Sequence, residues 1–376
     1  MSFGTGSIFV SCFVAFGEIM ARMAPAGFLR LQQVLPGSLD VTFAGAEANV
    51  AASLAMLGAP VRFVTALPRE SPLTDACIGN LRGLGIDTSR IQRTDRGRFG
   101  IYFVEMGANQ RPSRVTYDRE YTAISLARPD DFDWGRVFEG AHWMHLTGIT
   151  SALSRTAAET TLEAARQARA AGVKVCCDIN FRSRLWRWDD RCTPQELAGR
   201  TLQQLVPFVD LLMANAEDCR LLGVDTSSLS LRSAVAGRQQ ELEQVPELAR
   251  RAIDRYPNLR MLVTTLRENL SASHNNWGAA LFDGATNSLV CAPARDGVYQ
   301  PYEIRNMIDR VGGGDAFAAG LLFAMNHPEY SNLGEALEFA TAASCLAHSV
   351  VGDFNFATRE EVDGLVHGSG TGRVVR

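Results

Sequence analysis

In the stretch DRVGGGDAFAAGL, Asp315 directly follows three glycines, Gly312, Gly313 and Gly314, and leads into a run of small and large apolar residues. The first N–H groups of a helix lack intrahelical partners and sit at the positive end of its dipole, so they receive anions. Glycines let that backbone come close to the anion and take positive φ. An acid at such a place can accept a proton from a substrate hydroxyl while the glycine N–H groups hold the charge on a phosphoryl group in transfer. The same residues also read as an Asp cap behind a glycine turn. The run that follows, AFAAGLLFAM, is apolar on all sides and must be buried, which argues against a merely solvent-facing turn.

Other short stretches carry chemistry of a related kind. In AGAEAN, small residues around Gly45 and Ala46 precede a helix and leave room for a ligand. In VTYDREY, Tyr117 and Arg119 lie two apart on one strand face, and an Arg fork grips a carboxylate in bidentate fashion. DINFRSRLW ends an apolar strand with Asn180 and Arg182, where open α/β sheets bind ligands. NAED offers Asn215 and Asp218 as oxygen donors, or equally as a helix start with Asn215 as its cap. Asp353 follows Gly352 in a loop after a long apolar helix. His142 and His145 fall three apart in an expected strand, face opposite sides, and do not make a metal pair. No G-x-S-x-G nucleophile elbow is present.

The elements that hold these residues are legible from periodicity. Near-continuous apolar runs at Phe9–Gly17, Val61–Leu67, Ala141–Ile149, Val173–Asn180, Val209–Asn215 and Arg260–Leu266 read as buried strands. Helical patterns such as Glu47–Gly58 and Ser154–Gly172 alternate with them. That alternation implies a mostly parallel sheet covered on both faces, within one α/β domain spanning 1–376. Two segments, about 21–43 and 99–121, alternate apolar and polar residues as half-exposed antiparallel strands do, and read as a β-strand lid. A polar stretch at about 225–246 reads as a surface insertion with a helical second half.

The totals restrict the function classes. The chain has 376 residues, with 37 Lys and Arg against 41 Asp and Glu, a net charge of −4. Nucleic-acid binders usually carry a basic excess, so none is expected as a partner. No run approaches the roughly 20 apolar residues that span a bilayer, so no membrane partner is expected either. The apolar start lacks a preceding basic residue and reads as a core strand rather than a signal peptide. The eight cysteines form no C-x-x-C pair, and Cys176 adjoins Cys177, as expected of reduced thiols in a cytoplasmic protein.

DRVGGGDAFAAGL resembles the C-terminal signature of the ribokinase-like (PfkB) carbohydrate kinases, D-T-x-G-A-G-D, with Arg310 and Gly313 in place of the common Thr and Ala. FGEIMARMAPAG, VTFAGAEANVAASLAMLG, CDINFRSRLW, NAED and TTLRENLSASHNNWGA follow the same family in order, and the first two resemble its 2-keto-3-deoxygluconate kinase branch. The resemblance implies a three-layer ribokinase-like sandwich with a small β-strand lid, and ATP-dependent phosphorylation of a sugar acid at its 6-hydroxyl. It implies Asp315 as base and Gly312 to Gly314 as anion hole. It implies Gly45, Ala46, Glu47, Ala48, Asn49, Tyr102, Tyr117, Arg119, Arg182 and Asp353 as sugar contacts, although Glu47 stands where many relatives have Pro. It places Asn180, Leu266, Arg267 and Glu268 on the nucleotide side, although TTLREN lacks the glycines of the family's T-x-G-x-x-G loop. It implies Mg²⁺ held through water by Asn215 and Asp218, where the common fourth residue is Glu, leaves open whether a monovalent cation assists, and suggests a homodimer clasped through the lid. Two other readings stand beside it: a fructokinase or other ketose or ribose kinase of the same fold, and a non-catalytic sugar sensor on the kinase scaffold.

Overall fold

A computed structural model of the protein describes residues 12–229 and 238–368. Its centre is a nine-stranded sheet. Six strands run parallel, in the spatial order Met261–Asn269, Leu211–Met213, Lys174–Asp178, Ala141–Thr147, Cys12–Phe16 and Val61–Val64. The strand His274–Asp283 then adds antiparallel to the first of these, and Ser288–Ala292 and Tyr302–Arg305 pair with its two halves.

Strand alternation divides the apolar residues between two cores. Val14 and Phe16 pack on one face with Ala164, Ala165, Leu197 and Leu248. Phe13 and Ala15 pack on the other with Val50, Phe317, Phe323 and Phe339. Both sets are buried by helices, which is why the strands read as continuous apolar runs and why the architecture is three-layered. The same alternation sends Cys177 into the first core and Cys176 into the second. All eight cysteines are free. Among the described residues no helix is long and apolar enough to cross a membrane.

The lid is a separate four-stranded sheet in the order Asp40–Ala44, Met20–Ala24, Gly100–Glu105, Arg114–Asp118. Its outer pairings are antiparallel, as expected, but the central pair, Met20–Ala24 with Gly100–Glu105, is parallel. The chain passes through the main domain between these two strands, so no hairpin joins them.

Three further elements differ from their sequence reading. Val61–Leu67 breaks at Thr65: Val61–Val64 stays in the main sheet, and Ala66–Pro68 pairs instead with Gln92–Thr94. The TTLREN segment is strand rather than loop, the outer half of a hairpin that turns at residues 270–273. The expected insertion at 225–246 ends inside a helix, Arg238–Arg255, whose Leu242 and Val245 are buried in the core. That helical half therefore belongs to a layer of the fold, while 230–237 and the expected strand's start at 9–11 lie outside the described residues.

Candidate active site

A cavity of about 800 Å³ opens beyond the carboxyl ends of the parallel strands, beneath the lid. Strand ends deliver Asp178 and Met213 to it, the strand Met261–Asn269 delivers Thr264, and the lid delivers Met20, Tyr102, Val115 and Tyr117. Its floor is the start of the helix Gly313–Ala324, buried at every residue except Gly314.

Gly312 caps that helix at φ 83°, in the left-handed region that favours glycine. A Cβ there would lie 2.3 Å from the Asp353 carbonyl oxygen, and one at Gly313 would lie 2.7 Å from the His348 ring. A Cβ at Gly314 would meet nothing within 4 Å. The Asp353 backbone and the His348 ring thus exclude side chains at Gly312 and Gly313, while Gly312, Gly313 and Gly314 all line the cavity with Asp315.

Asp315 occupies the first turn of the helix, and its Oδ2 accepts a 2.7 Å hydrogen bond from Asn49 Nδ2. Burial pushes its pKa up to about 7, with Asp353 and Glu47 adding to the rise and Asn49 and Arg182 opposing it. That value suits a base working near neutral pH.

Beside the lid, Asn49 Oδ1 accepts from the Gly45 N–H at 3.1 Å, closing the turn into the helix Ala46–Met56. Glu47 Oε1 accepts from Thr147 and Thr150 at 2.6 and 2.8 Å, while its buried Oε2 has no partner. Burial raises its pKa to about 7 against the pull of those hydroxyls. Ala48 points the other way, into the core, and does not line the cavity; one residue along a helix turns the side chain by about 100°.

Asp353 is held by Tyr102 Oη at 2.7 Å and by Arg22 Nη1 at 2.6 Å. Arg22, 2% exposed, also pairs with Asp309, whose carboxylate further accepts the N–H groups of Arg310, Val311 and Gly352. One guanidinium from the lid thus joins the glycine turn to the Asp353 loop. Arg119 lies just past the lid strand Arg114–Asp118, stacks over the Tyr117 ring at 5.1 Å, and pairs with Glu18, whose buried Oε1 is unpartnered.

At the opposite end, Asn180 takes φ 42° and donates twice to Asp178, and exposed Arg182 reaches the cavity rim. Burial, with Asp315 and Asp218 nearby, pushes Asp178 up to about 7. Asn215 and Asp218 form a reciprocal capping box on a short helix, as the helix-start reading expects, and both also line the cavity. Of the TTLREN residues 266–268, only Arg267 lines it. Leu266 is core, and Glu268 accepts from Asn276 instead. Adjacent strand residues face opposite sides, so three consecutive residues are not brought to one wall.

The sequence reading overlooked Glu18, Arg22, Asp178 and Asp309. Glu18 and Asp178 stand at strand carboxyl ends, the position that flags ligand contacts in open sheets. Arg22 carried no such signal, since its role comes from tertiary packing of the lid.

A parallel sheet between two helical layers, a glycine-capped helix presenting a buried acid, and a lid over the cavity together define a ribokinase-like small-molecule kinase. Comparison with known proteins agrees. Residues 13–248 match the model of the pfkB family carbohydrate kinases, and the chain belongs to that family. It is 31% identical over 360 residues to the 2-dehydro-3-deoxygalactonokinase of Haloferax volcanii, covering 96% of this chain and 98% of that one. The crystal structure of 2-dehydro-3-deoxygluconokinase from Thermotoga maritima superposes with a TM-score of 0.82 at 39% identity, covering 95% of this chain and all of that one. An Escherichia coli fructokinase is 25% identical over 284 residues, covering 75% of this chain and 76% of that one. The protein is therefore an ATP-dependent carbohydrate kinase.

Proposed function

We propose that the protein phosphorylates 2-dehydro-3-deoxy-D-gluconate, an open-chain sugar acid, at its 6-hydroxyl. The observation that carries this reading is the cavity's polarity. Asp315 and the glycine turn stand on its floor, and a buried Arg119, stacked on Tyr117, stands under the lid to receive a carboxylate. The likeness to 2-dehydro-3-deoxygluconokinase and 2-dehydro-3-deoxygalactonokinase over nearly the full chain supports the same substrate class.

In the reaction, Asp315 accepts the proton of the 6-hydroxyl as its oxygen bonds to the γ-phosphorus. The bond from that phosphorus to the β–γ bridging oxygen breaks, and ADP leaves with the electron pair. The N–H groups of the glycine turn hold the equatorial oxygens in passage. Tyr102, Asp353, Asn49 and the unpartnered oxygens of Glu18 and Glu47 bind and orient the hydroxyls.

Among the described residues no group of three or more His, Cys, Asp or Glu is arranged to hold a metal directly. Asn215, Asp218 and Asp178 instead fit a hydrated Mg²⁺ arriving with the nucleotide, since burial beside Asp315 and Asp218 raises the affinity of Asp178 for positive charge. Such an ion supplies charge neutralisation at the β- and γ-phosphates. The lid's exposed apolar residues, Phe28, Leu29 and Val41 among them, support a homodimer through that sheet, and the free cysteines fit a cytoplasmic setting. Phosphate-transfer assays with this sugar acid, its C4 epimer and neutral ketoses test the reading. Turnover of fructose but of neither acid overturns it.

A further inference from the structure

The nucleotide end of the cavity, as the resemblance places it, departs from the wider family's signature in two places. Where glycines would offer backbone N–H groups to phosphate, this chain has the extended hairpin strand Met261–Asn269 with Arg267 facing inward. Where the signature commonly has Thr, it has Arg310, also on the cavity wall. The two departures meet in space. Arg310 Nη2 donates to Asn269 Oδ1 of the hairpin at 2.9 Å. Arg267 lies 5.8 Å from the Trp277 ring centroid on the partner strand, and with the Asn275 amide turned to face it, its Nε donates to the amide oxygen at 3.0 Å. Side chains anchored in this way lose less entropy when they grip a ligand.

Resting on the kinase reading, we propose that Arg267 and Arg310 form a guanidinium clamp for the nucleotide's β- and γ-phosphates, supplying with side chains the donors that a glycine-rich loop supplies with backbone. Several observations point to an anion there. Among the described residues Arg310 and Arg182 have no carboxylate within ion-pair distance. Burial lowers the pKa of Arg267 to about 10, and the nearby charges of Arg310 and Arg182 add to the drop. Trp277, 3% exposed, lines the same wall with its indole Nε1 unpartnered. A polyphosphate would accept hydrogen bonds from the guanidinium groups and from the indole N–H. The sugar's carboxylate does not compete for this place, because Asp315 must meet the opposite end of that substrate, which directs the acid towards Arg119 under the lid.

The test uses the full-length protein, with Arg310→Thr, Arg310→Lys and Arg267→Met variants. Calorimetric titration with MgADP and with inorganic tripolyphosphate reads the clamp without reference to any sugar. Steady-state kinetics then read KM for ATP and for the sugar acid separately. Arg310→Thr and Arg267→Met should each weaken MgADP and tripolyphosphate binding by about tenfold or more. KM for ATP should rise in parallel while KM for the sugar acid moves less than about twofold. Arg310→Lys should recover part of the loss, since it restores charge without the fork. Unchanged MgADP and tripolyphosphate affinity in variants with wild-type melting temperature overturns the clamp. A rise confined to the sugar's KM also overturns it, by assigning these arginines to the acceptor. Failure of the wild-type protein to phosphorylate any sugar acid instead counts against the proposed function, and leaves the binding result to decide the clamp.

Discussion

Replacing Asp315 by Asn should stop the chemistry and stabilise the protein at the same time. The native carboxyl titrates near 7 against an ordinary 3.8, chiefly because it is buried beside Asp353 and Glu47. Between those values the native state holds a proton that the unfolded chain has released, so stability falls as pH rises through the interval and levels off above about 7. Roughly 3 pH units at about 1.4 kcal/mol each set an upper limit of about 4 kcal/mol. Because neighbouring carboxyls share the repulsion, about 2–4 kcal/mol is the expected cost. Asn carries no charge at any of these pH values, and its amide oxygen still accepts from Asn49. For a chain of 376 residues, that gain corresponds to a rise in Tm of about 3–5 °C at pH 8, shrinking towards zero near pH 4. Turnover should drop by about 10²–10⁴, and the wild-type kcat/KM should climb with pH to a plateau above about 7. Differential scanning calorimetry from pH 4 to 8, with turnover measured on the same samples, checks both halves. A variant that melts no higher than wild type at pH 8, or keeps near-wild-type turnover, refutes the reasoning.

The glycine turn gives a paired test. Gly312→Ala forces a side chain into φ 83° and 2.3 Å from a carbonyl oxygen, and should cost more than about 2 kcal/mol in urea unfolding along with most activity. Gly314→Ala meets open space and should fold as wild type while crowding the phosphoryl path, so its loss should appear in kcat alone. Arg119→Lys keeps the charge beside Glu18 but loses the fork, and should raise KM for the sugar acid about tenfold or more with little change for a neutral sugar. Light scattering at micromolar concentration should show a dimer that Val41→Asp, on an exposed lid strand, converts to monomer without lowering Tm.

The layered architecture was readable from the sequence because both faces of the sheet are buried, and burial on both faces leaves a continuous apolar run. The burial of Asp315 was readable because a carboxylate at the head of an all-apolar helix must be buried with it. The lid's parallel centre was not, since alternation reveals a half-exposed strand but not the direction of its neighbour. Ala48 and Leu266 were assigned with their neighbours as blocks, and side-chain direction then separated them from Asn49 and Arg267. The Arg22 bridge to Asp309 and Asp353 joins residues more than 280 positions apart and has no local signature. Cys176 and Cys177 show the reverse case, where adjacency itself implied free thiols.

The central claim, that this kinase acts on a sugar acid, is tested most directly by a coupled ADP-release assay with Mg-ATP across 2-dehydro-3-deoxy-D-gluconate, its C4 epimer, fructose and ribose. The structure predicts kcat/KM for the acids at least about a hundredfold above that for the neutral sugars, in line with a buried, paired charge contact. Equal or greater efficiency with fructose or ribose would contradict it.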